Sequence, residues 1–447
     1  MKRVLSHLDD MDIRHRQLSA PLMAHLEITN VCNHRCLHCY KLDADLQNRP
    51  KDVVNNDTII QNVHKLIDGG ILQIIITGGE PLLKKDLVKN IIEIANQRGI
   101  SVSINTNLTL ADDDIIDYLS KTNTRVLTSC PSGIESSFAK LTITKNFETF
   151  RKNLVKAINA GIKTTVNMVV TKDNIDEIRQ TANEIRNLGC TSFCTTPVAL
   201  NMEYPRYDLL LSREDIAKII DDILWIESEL GMKVDILDGL PKCVFPKNIL
   251  AEEHLFLYRR CQAGRTFIAV SPNGDVRPCA NTNESYGNIH SISLSEIWHK
   301  MQVWRSDVIV PEECQGCSWI NRCLGGCRTN AKALSGKWNG TDIWEPVPIK
   351  DAPPSHAKQV KLDNDSILRI NPAIKFRREY ENVYLAYSIK NRTFCMLNES
   401  MLNFITLIKE NQEVKYSDII SKYSTSNDIN QINAIITILV QYKIIKL

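Results

Sequence analysis

The run Ala24-His25-Leu26-Glu27-Ile28-Thr29 leads straight into Asn30-Val31-Cys32-Asn33-His34-Arg35-Cys36-Leu37-His38-Cys39-Tyr40. A short β-prone stretch is thus followed by three cysteines spaced x3 and x2. Thiolates this close together hold an iron–sulfur cluster or zinc. A cubane cluster has four irons, so three cysteines leave one iron open to a substrate or cofactor. Zinc usually takes two C-x2-C pairs or Cys/His mixtures. His34 and His38 would allow a mixed zinc site in principle, but the spacing is not that of a zinc knuckle, and a glycine-rich segment follows the next strand.

Outward from this stretch, β-like runs alternate with amphipathic ones up to about residue 240. The strands expected are Ala24–Thr29, Leu72–Thr77, Ser101–Thr106, Arg125–Ser129, Lys163–Val170 and Ser192–Pro197. Helical periodicity covers Asp57–Ile67, Asp86–Gln97, Asp112–Leu119, Phe147–Asn159 and Ile175–Leu188. Gly70, Gly99, Gly161 and Gly189 stand where helices should stop. Repetition of this kind gives an α/β fold of parallel β/α units. Six units are too few for a closed eight-fold barrel and suit an open, partial (β/α)6 TIM-type barrel over residues 21–240. Chemistry in such barrels sits in the loops after the strands. The triplet follows strand one and Thr77-Gly78-Gly79-Glu80-Pro81 follows strand two, so both face the same end.

Residues 241–348 are rich in cysteine, glycine and turn residues, as in Pro272-Asn273-Gly274-Asp275. Such a segment needs metal to order it. A linker, with Asp351-Ala352-Pro353-Pro354-Ser355, is expected over 349–364. Residues 365–447 read as a small α+β module of winged-helix character, and residues 1–20 as an N-terminal extension. The chain of 447 residues is 43% hydrophobic and 24% charged, with a net charge of +2. That balance gives no polyelectrolyte signal for nucleic acid. No apolar export signal and no bilayer-spanning run is seen, which points to a cytoplasmic protein without a membrane. In a reducing compartment, 14 cysteines speak for metal binding over disulfides.

The first triplet resembles the signature C-x3-C-x-Φ-C of the radical S-adenosylmethionine (SAM) superfamily. The resemblance implies a [4Fe–4S] cluster whose open iron binds SAM. One electron, from a flavodoxin- or ferredoxin-type donor, would cleave SAM to a 5′-deoxyadenosyl radical that abstracts a substrate hydrogen. Gly78-Gly79-Glu80-Pro81 resembles the superfamily's GGE motif, whose glycines and glutamate would receive the methionine amine. Asn105-Thr106-Asn107 resembles its T-N-G segment near SAM, with Leu108 in place of the glycine. His38 takes the position near adenine. Where many relatives have S-L-D-G, this chain has Cys130-Pro131-Ser132-Gly133, and Thr142 stands where an arginine aligns. Cys130 is either a small buried hydrophobe, the commoner fate of a free cysteine, or a catalytic hydrogen donor or substrate contact.

The second cysteine set, Cys261-x12-Gly274-x4-Cys279 and Cys314-x2-Cys317-x5-Cys323-x3-Cys327, resembles the SPASM domain. The resemblance implies two auxiliary iron–sulfur clusters of [4Fe–4S] type. One would take Cys261, Cys279 and Cys327, the other Cys314, Cys317 and Cys323. The domain's seventh cysteine is missing. Asp342, in the stretch Trp338–Trp344, is one substitute, for the second cluster, and Cys243 is a further ligand candidate, for the first. After residue 365, Leu368-Arg369-Ile370-Asn371-Pro372, Val383-Tyr384-Leu385-Ala386-Tyr387 and Leu397-Asn398-Glu399 resemble PqqD-like peptide-recognition domains, which bind precursor leaders by strand addition.

Together these resemblances imply a peptide-modifying oxidoreductase or maturase. Its partner would be a ribosomally synthesised precursor peptide with a leader, and its product a C–C, ether or thioether crosslink. Alternative outcomes are epimerisation, for which Cys130, Cys190 and Cys194 are hydrogen-donor candidates, and formylglycine generation. A cluster-bearing peptide binder without catalysis is the alternative of a different class.

Overall fold

Strands that carry apolar residues on alternate positions and helices with one apolar stripe bury those faces only against each other. The computed structural model describes residues 18–41, 54–252, 254–353, 360–389, 393–421 and 426–447. It divides into two units. One contains residues 21–98 and 102–354, and the other is built on the chain after Pro354.

The first unit opens with β1 (Met23–Glu27), α1 (Asn56–Asp68), β2 (Gln73–Thr77), α2 (Lys85–Gln97), β3 (Ser101–Thr106) and α3 (Asp113–Ser120). It continues with β4 (Arg125–Ser129), α4 (Glu135–Thr142), α5 (Phe147–Asn159), β5 (Lys163–Val170) and α6 (Ile178–Asn187). Next come β6 (Ser192–Pro197), α7 (Arg213–Leu230) and β7 (Lys233–Ile236). The cysteine-rich stretch adds β8 (Phe267–Val270), β9 (Asp275–Arg277), β10 (Gly287–Asn288), α8 (Leu294–Lys300) and α9 (Arg328–Ser335).

These strands form one sheet in the order β10-β9-β8-β1-β2-β3-β4-β5-β6-β7. β1 pairs in parallel with β2, and β3 to β7 pair in parallel in sequence. The order is linear, as expected for an open barrel, but the parallel run is two strands longer than six, with β7 at one end and β8 at the other. Lys233-Val234-Asp235-Ile236 is too short and too polar to stand out by pattern alone. β8 joins the other edge of β1 in parallel, and β9 and β10 follow antiparallel. The cysteine-rich stretch therefore starts as a continuation of the barrel sheet.

Local signals hold the helices in place. Asn55 caps α1, accepting from Thr58 N, and α7 opens on a capping box between Ser212 and Asp215. α7 ends at Gly231 with φ +60°, a conformation costly for residues with a Cβ. Ile74, Ile76, Ile104, Val126 and Val166 are buried, as are Val63, Leu66, Ile91 and Ile115 on the helices. Burying each such side chain contributes about 1.5–3 kcal/mol. The opposite sheet face carries Glu27, Thr77, Asn105, Ser129, Asn167 and Thr196. The register pairs Glu27 with Thr77 and Ser129 with Asn167, and Thr196 donates to Asn167 Oδ1 over 2.8 Å. One face thus carries most of the buried aliphatic side chains, and the other a row of polar ones interspersed with Ile75, Leu127 and Val169.

In the second unit, β12 (Ile374–Tyr380), β13 (Val383–Ser388) and β14 (Thr393–Asn398) form an antiparallel sheet. β11 (Ile367–Ile370) lies between β15 (Glu413–Lys415) and β16 (Ile445–Lys446). Its helices are α10 (Glu399–Glu410), α11 (Tyr416–Ile420) and α12 (Ser426–Gln441). Asn398 caps α10 by accepting from Met401 N, and α10 buries Met401, Phe404, Ile405 and Ile408. Most of the extension over 1–20, the middle of the linker and residues 390–392 lie outside the described residues. Among the described residues, no helix is long and apolar enough to cross a membrane.

Candidate cofactor site

The loop after β1 is laid backbone to backbone on the loop after β2. Gly79 N donates to Thr29 O over 2.7 Å, and Glu80 N to Val31 O over 2.8 Å. A Cβ on Gly78 would stand 2.3 Å from Thr29 O, and one on Gly79 would stand 2.0 Å from Val31 O. Gly78 also has φ +129°. The glycine pair is therefore required by the chain's own packing, before any ligand is considered. Glu80 is likewise committed within the protein. It is 1% exposed. Its Oε1 accepts from Thr106 Oγ1 at 2.6 Å and Leu82 N at 2.9 Å, and its Oε2 from Asn107 N at 2.7 Å. Burial raises its pKa against the pull of these three donors. Its carboxylate ties the turns after β2 and β3, and Oε2, which accepts one of these bonds, has capacity for a further donor such as an amine.

Cys32, Cys36 and Cys39 are half-buried. The Cys36 thiol is pushed well up by burial and by the charges of Cys39 and Cys32, as expected for three thiols facing one another. His34 N donates to Cys32 Sγ at 3.4 Å. Asn107 Nδ2 lies 4.0 Å from the same sulfur and donates to Asn33 Oδ1 at 2.7 Å. Arg35 N and Leu37 N donate to Thr142 O and Leu141 O, so α4 supports the loop through its last carbonyls. His38 Nδ1 is buried and meets no hydrogen-bond partner. Burial lowers its pKa to about 4, so the ring is neutral. Asn105 sits half-buried on the polar face of β3. Leu108 takes φ +63°, the left-handed conformation that the glycine of a T-N-G segment would supply without strain.

Glu27 and Arg277 were not singled out from sequence. Glu27, 1% exposed, pairs through Oε2 with Lys41 Nζ at 2.8 Å and Arg277 Nη2 at 2.6 Å. Its Oε1 meets no donor. The charge thus ties the exit of the triplet loop to the strand just before Cys279. The available signal was one acidic residue inside the apolar run Leu26-Glu27-Ile28.

The second cysteine set resolves into two groups. Burial pushes the Cys279 thiol up to about 12, with the charges of Cys261 and Asp238 acting in the same direction. Cys327 is raised by burial and by Asp342, Cys261 and Asp238. Cys261, Cys279 and Cys327 therefore share one locus, with Asp238 facing it. Gly239 abuts the backbone N of Cys261, at 2.5 Å from an added Cβ. Burial and Asp342 raise the Asp238 pKa to about 6. Cys314, Cys317 and Cys323 line a separate small cavity of about 20 Å³, together with Cys243. Cys243 is thus placed with the second group, not the first. Asp342 reaches the first: its Oδ2 accepts from Cys327 N at 2.6 Å, and its Oδ1 from Asn330 Nδ2 at 2.9 Å and Ile343 N at 2.8 Å. Among the described residues, no three His, Cys, Asp or Glu side chains converge as tightly as around a single metal ion. The donor sets fit iron–sulfur clusters: three soft thiols at each locus, an orphaned His38 nitrogen, and backbone amides turned on the sulfurs.

Cys130, Cys190 and Cys194 are at most 2% exposed. Cys130 Sγ donates to Ser132 O at 3.1 Å, and burial pushes its pKa up to about 12. Its thiol is inside the packed wall of the barrel.

The model of the radical SAM superfamily matches residues 26–185. That of SPASM, an iron–sulfur cluster-binding domain, matches residues 261–318. Among curated proteins, the chain is similar to the PqqA peptide cyclase of Xanthomonas euvesicatoria pv. vesicatoria (strain 85-10). The two are 25% identical over 379 residues, 80% of this chain and 95% of that one. It is also similar to the AdoMet-dependent heme synthase of Oleidesulfovibrio alaskensis, at 24% identity over 69% of this chain and 83% of that one. Among solved structures, Streptococcus suis SuiB superposes with a TM-score of 0.60 at 18% identity, covering 76% of this chain and 79% of that one. SuiB has also been solved bound to S-adenosylmethionine and to precursor peptide SuiA. These domains imply iron–sulfur clusters and SAM. The chain carries a radical SAM domain of α/β fold followed by a SPASM domain.

Proposed function

We propose that this protein is a radical SAM oxidoreductase that modifies a residue of a ribosomally synthesised precursor peptide, installing a C–C, ether or thioether crosslink. The observation that carries this reading is the juxtaposition of the thiol triplet with the Gly78–Gly79 backbone at the strand ends of a polar sheet face. Bound there, the cluster and SAM supply a 5′-deoxyadenosyl radical that takes a hydrogen atom from the substrate.

The chain's own residues bind and aim. Cys32, Cys36 and Cys39 hold the first cluster as thiolates. Asn33, Asn107 and Thr109 brace the loop that carries them. The carbonyls beside Gly78 and Gly79 receive the methionine amine, with Glu80 fixing the turn from behind. Neutral His38 faces the cofactor with a free ring nitrogen, and Asn105 lies on the polar face beside it. The polar face from Glu27 to Thr196 offers hydrogen bonds to a peptide. The second cysteine set would hold two auxiliary [4Fe–4S] clusters, which would supply an electron acceptor for oxidative crosslinking, and a flavodoxin- or ferredoxin-type protein would be the electron donor.

The chain after residue 365 is proposed to bind the leader as a PqqD-like module. Its support is an antiparallel three-stranded sheet with β12 and β14 as edges, onto which a leader strand can add. The relatives named for peptide substrates favour this substrate class. Epimerisation needs a hydrogen donor at the substrate, and burial of Cys130, Cys190 and Cys194 counts against them in that role.

The test is reconstituted full-length protein with dithionite, SAM and a candidate precursor peptide from a short reading frame sought beside its gene, read by mass spectrometry. Release of 5′-deoxyadenosine with loss of two hydrogens from the peptide is expected. Unchanged mass with inverted chirality would mean epimerisation. No 5′-deoxyadenosine from protein with intact clusters would mean a non-catalytic binder.

A further inference from the structure

Asp238-Gly239-Leu240-Pro241-Lys242-Cys243 runs between the two groups of the second cysteine set. Its first residue faces Cys279 and Cys327. Its last lines the small cavity that also holds Cys314, Cys317 and Cys323. The chain after Cys327 crosses the same cavity as Pro346-Val347-Pro348-Ile349. The seventh cysteine expected after Cys327 is missing from the sequence, and this passage contributes no thiol. Ile349 N instead donates to Cys317 Sγ at 3.3 Å.

The turn that presents Cys243 is firmly held. Pro241 opens a single helical turn over Lys242–Val244. Lys242 is 0% exposed. Its Nζ donates to Arg259 O at 2.7 Å and Phe256 O at 3.3 Å, while its backbone N donates to Cys323 Sγ at 3.3 Å. Cys243 O accepts from Arg213 Nη1 at 2.9 Å. Cys243 lines the same cavity as the other three, and its charge acts on Cys314 and Cys323. Asp342 also lines this cavity, but its two oxygens are taken by Cys327 N, Asn330 Nδ2 and Ile343 N.

We propose that Cys243 is the fourth thiolate ligand of an iron–sulfur cluster held by Cys314, Cys317 and Cys323. It would replace, from upstream in the chain, the cysteine missing downstream. The inference rests on reading these three cysteines as cluster ligands. On ligation the Cys243 thiol gives up its proton and its sulfur bonds iron, with no change of oxidation state. Four thiolates on one cubane leave no open iron there, which suits electron relay over substrate binding.

The test is anaerobic alkylation of the iron-loaded full-length protein with iodoacetamide, read by peptide mass spectrometry before and after iron is stripped with a chelator. Cys243 is half-buried, so the reagent reaches it when it is not ligated. Expected is loss of labelling at Cys243, Cys314, Cys317 and Cys323 together in the loaded protein, and labelling of all four after stripping. Labelling of Cys243 while the other three stay protected overturns the assignment of Cys243 alone. Labelling of all four in the loaded protein overturns the reading of the group as a cluster site. A second measurement uses Cys243→Ala and Cys243→Ser. Iron and sulfide per chain should fall in Cys243→Ala and recover in part in Cys243→Ser, with a shifted electron paramagnetic resonance signal. Unchanged iron, sulfide and spectrum in both variants would also overturn it.

Discussion

Arg277 places its guanidinium 2.6 Å from the Glu27 carboxylate, and both side chains are at least nine-tenths buried. One ion pair thus joins the strand that launches the cysteine triplet to the strand that leads into Cys279. Removing one member of a buried pair leaves the other charge uncompensated, at a cost of about 3–5 kcal/mol. Glu27→Gln is therefore expected to lower the urea midpoint strongly, by an amount of that order. The double variant Glu27→Gln/Arg277→Met should recover much of the loss. Equal stability of Glu27→Gln and the parent protein would show that the pair contributes nothing.

Gly79 has the tightest position in the first site, with Val31 O 2.0 Å from any added Cβ. The nearest atoms, Val31 O, Val31 C and Asn30 C, are all backbone, so none can rotate away. Gly79→Ala should push the loop after β1 outward, abolish SAM binding by equilibrium dialysis and lower triplet iron. Normal SAM affinity in Gly79→Ala would mean that the two loops are not apposed in solution.

The alternation of strand and helix was legible because period-2 and period-3.6 runs are separated by turn residues. Phe147–Asn159 and Lys163–Val170 match the structure at both ends. β7 was missed because four residues with two charges carry no pattern. β8 was missed because Phe267-Ile268-Ala269-Val270 lies within a stretch read as cysteine-rich coil. Cysteine identity was legible from spacing, and the resemblance gave the two groups of three, but the places of the remaining ligand candidates were not legible. Whether Cys243 and Asp342 serve one locus or the other depends on how 238–243 threads between them, a tertiary fact. The departure at Leu108 was visible in sequence. Its φ of +63° shows that the backbone keeps the glycine's conformation, at roughly 1–2 kcal/mol.

Cys130 offers a direct test of a residue singled out by position. Its side chain is fully buried, and its thiol donates to Ser132 O. Cys130→Ala removes one weak hydrogen bond and one sulfur's volume. It should cost about 1 kcal/mol of stability and leave the product unchanged, including its chirality. Loss of product at full cluster and SAM occupancy would restore Cys130 to the chemistry.

Asp342 and Asp238 separate by their partners. Asp342 accepts three hydrogen bonds, whereas the Asp238 carboxylate faces the sulfurs of Cys279 and Cys327. Asp342→Ala leaves the backbone N of Cys327 unpaired and should destabilise the protein by about 1.5–3 kcal/mol. It should keep its iron under native conditions. Asp238→Ala should be milder on stability and should alter the paramagnetic signal of the first auxiliary group. The reverse pattern, with iron lost from Asp342→Ala at unchanged stability, would make Asp342 the ligand.

His25 predicts a pH dependence away from the cysteines. It stacks on Phe267 with ring centroids 5.0 Å apart. Burial lowers its pKa from 6.5 to about 4, against the opposing pull of Glu27. Between those values the unfolded chain binds a proton that the folded chain does not. Stability therefore rises with pH across this window. The contribution is fully present above about 6.5 and is lost as pH falls toward about 4. His25→Phe keeps an aromatic ring against Phe267 and removes the titration. Urea midpoints measured from pH 4 to pH 7 should fall less steeply toward acid in His25→Phe than in the parent, whatever the difference in absolute stability. Parallel profiles would show that His25 is protonated alike in both states.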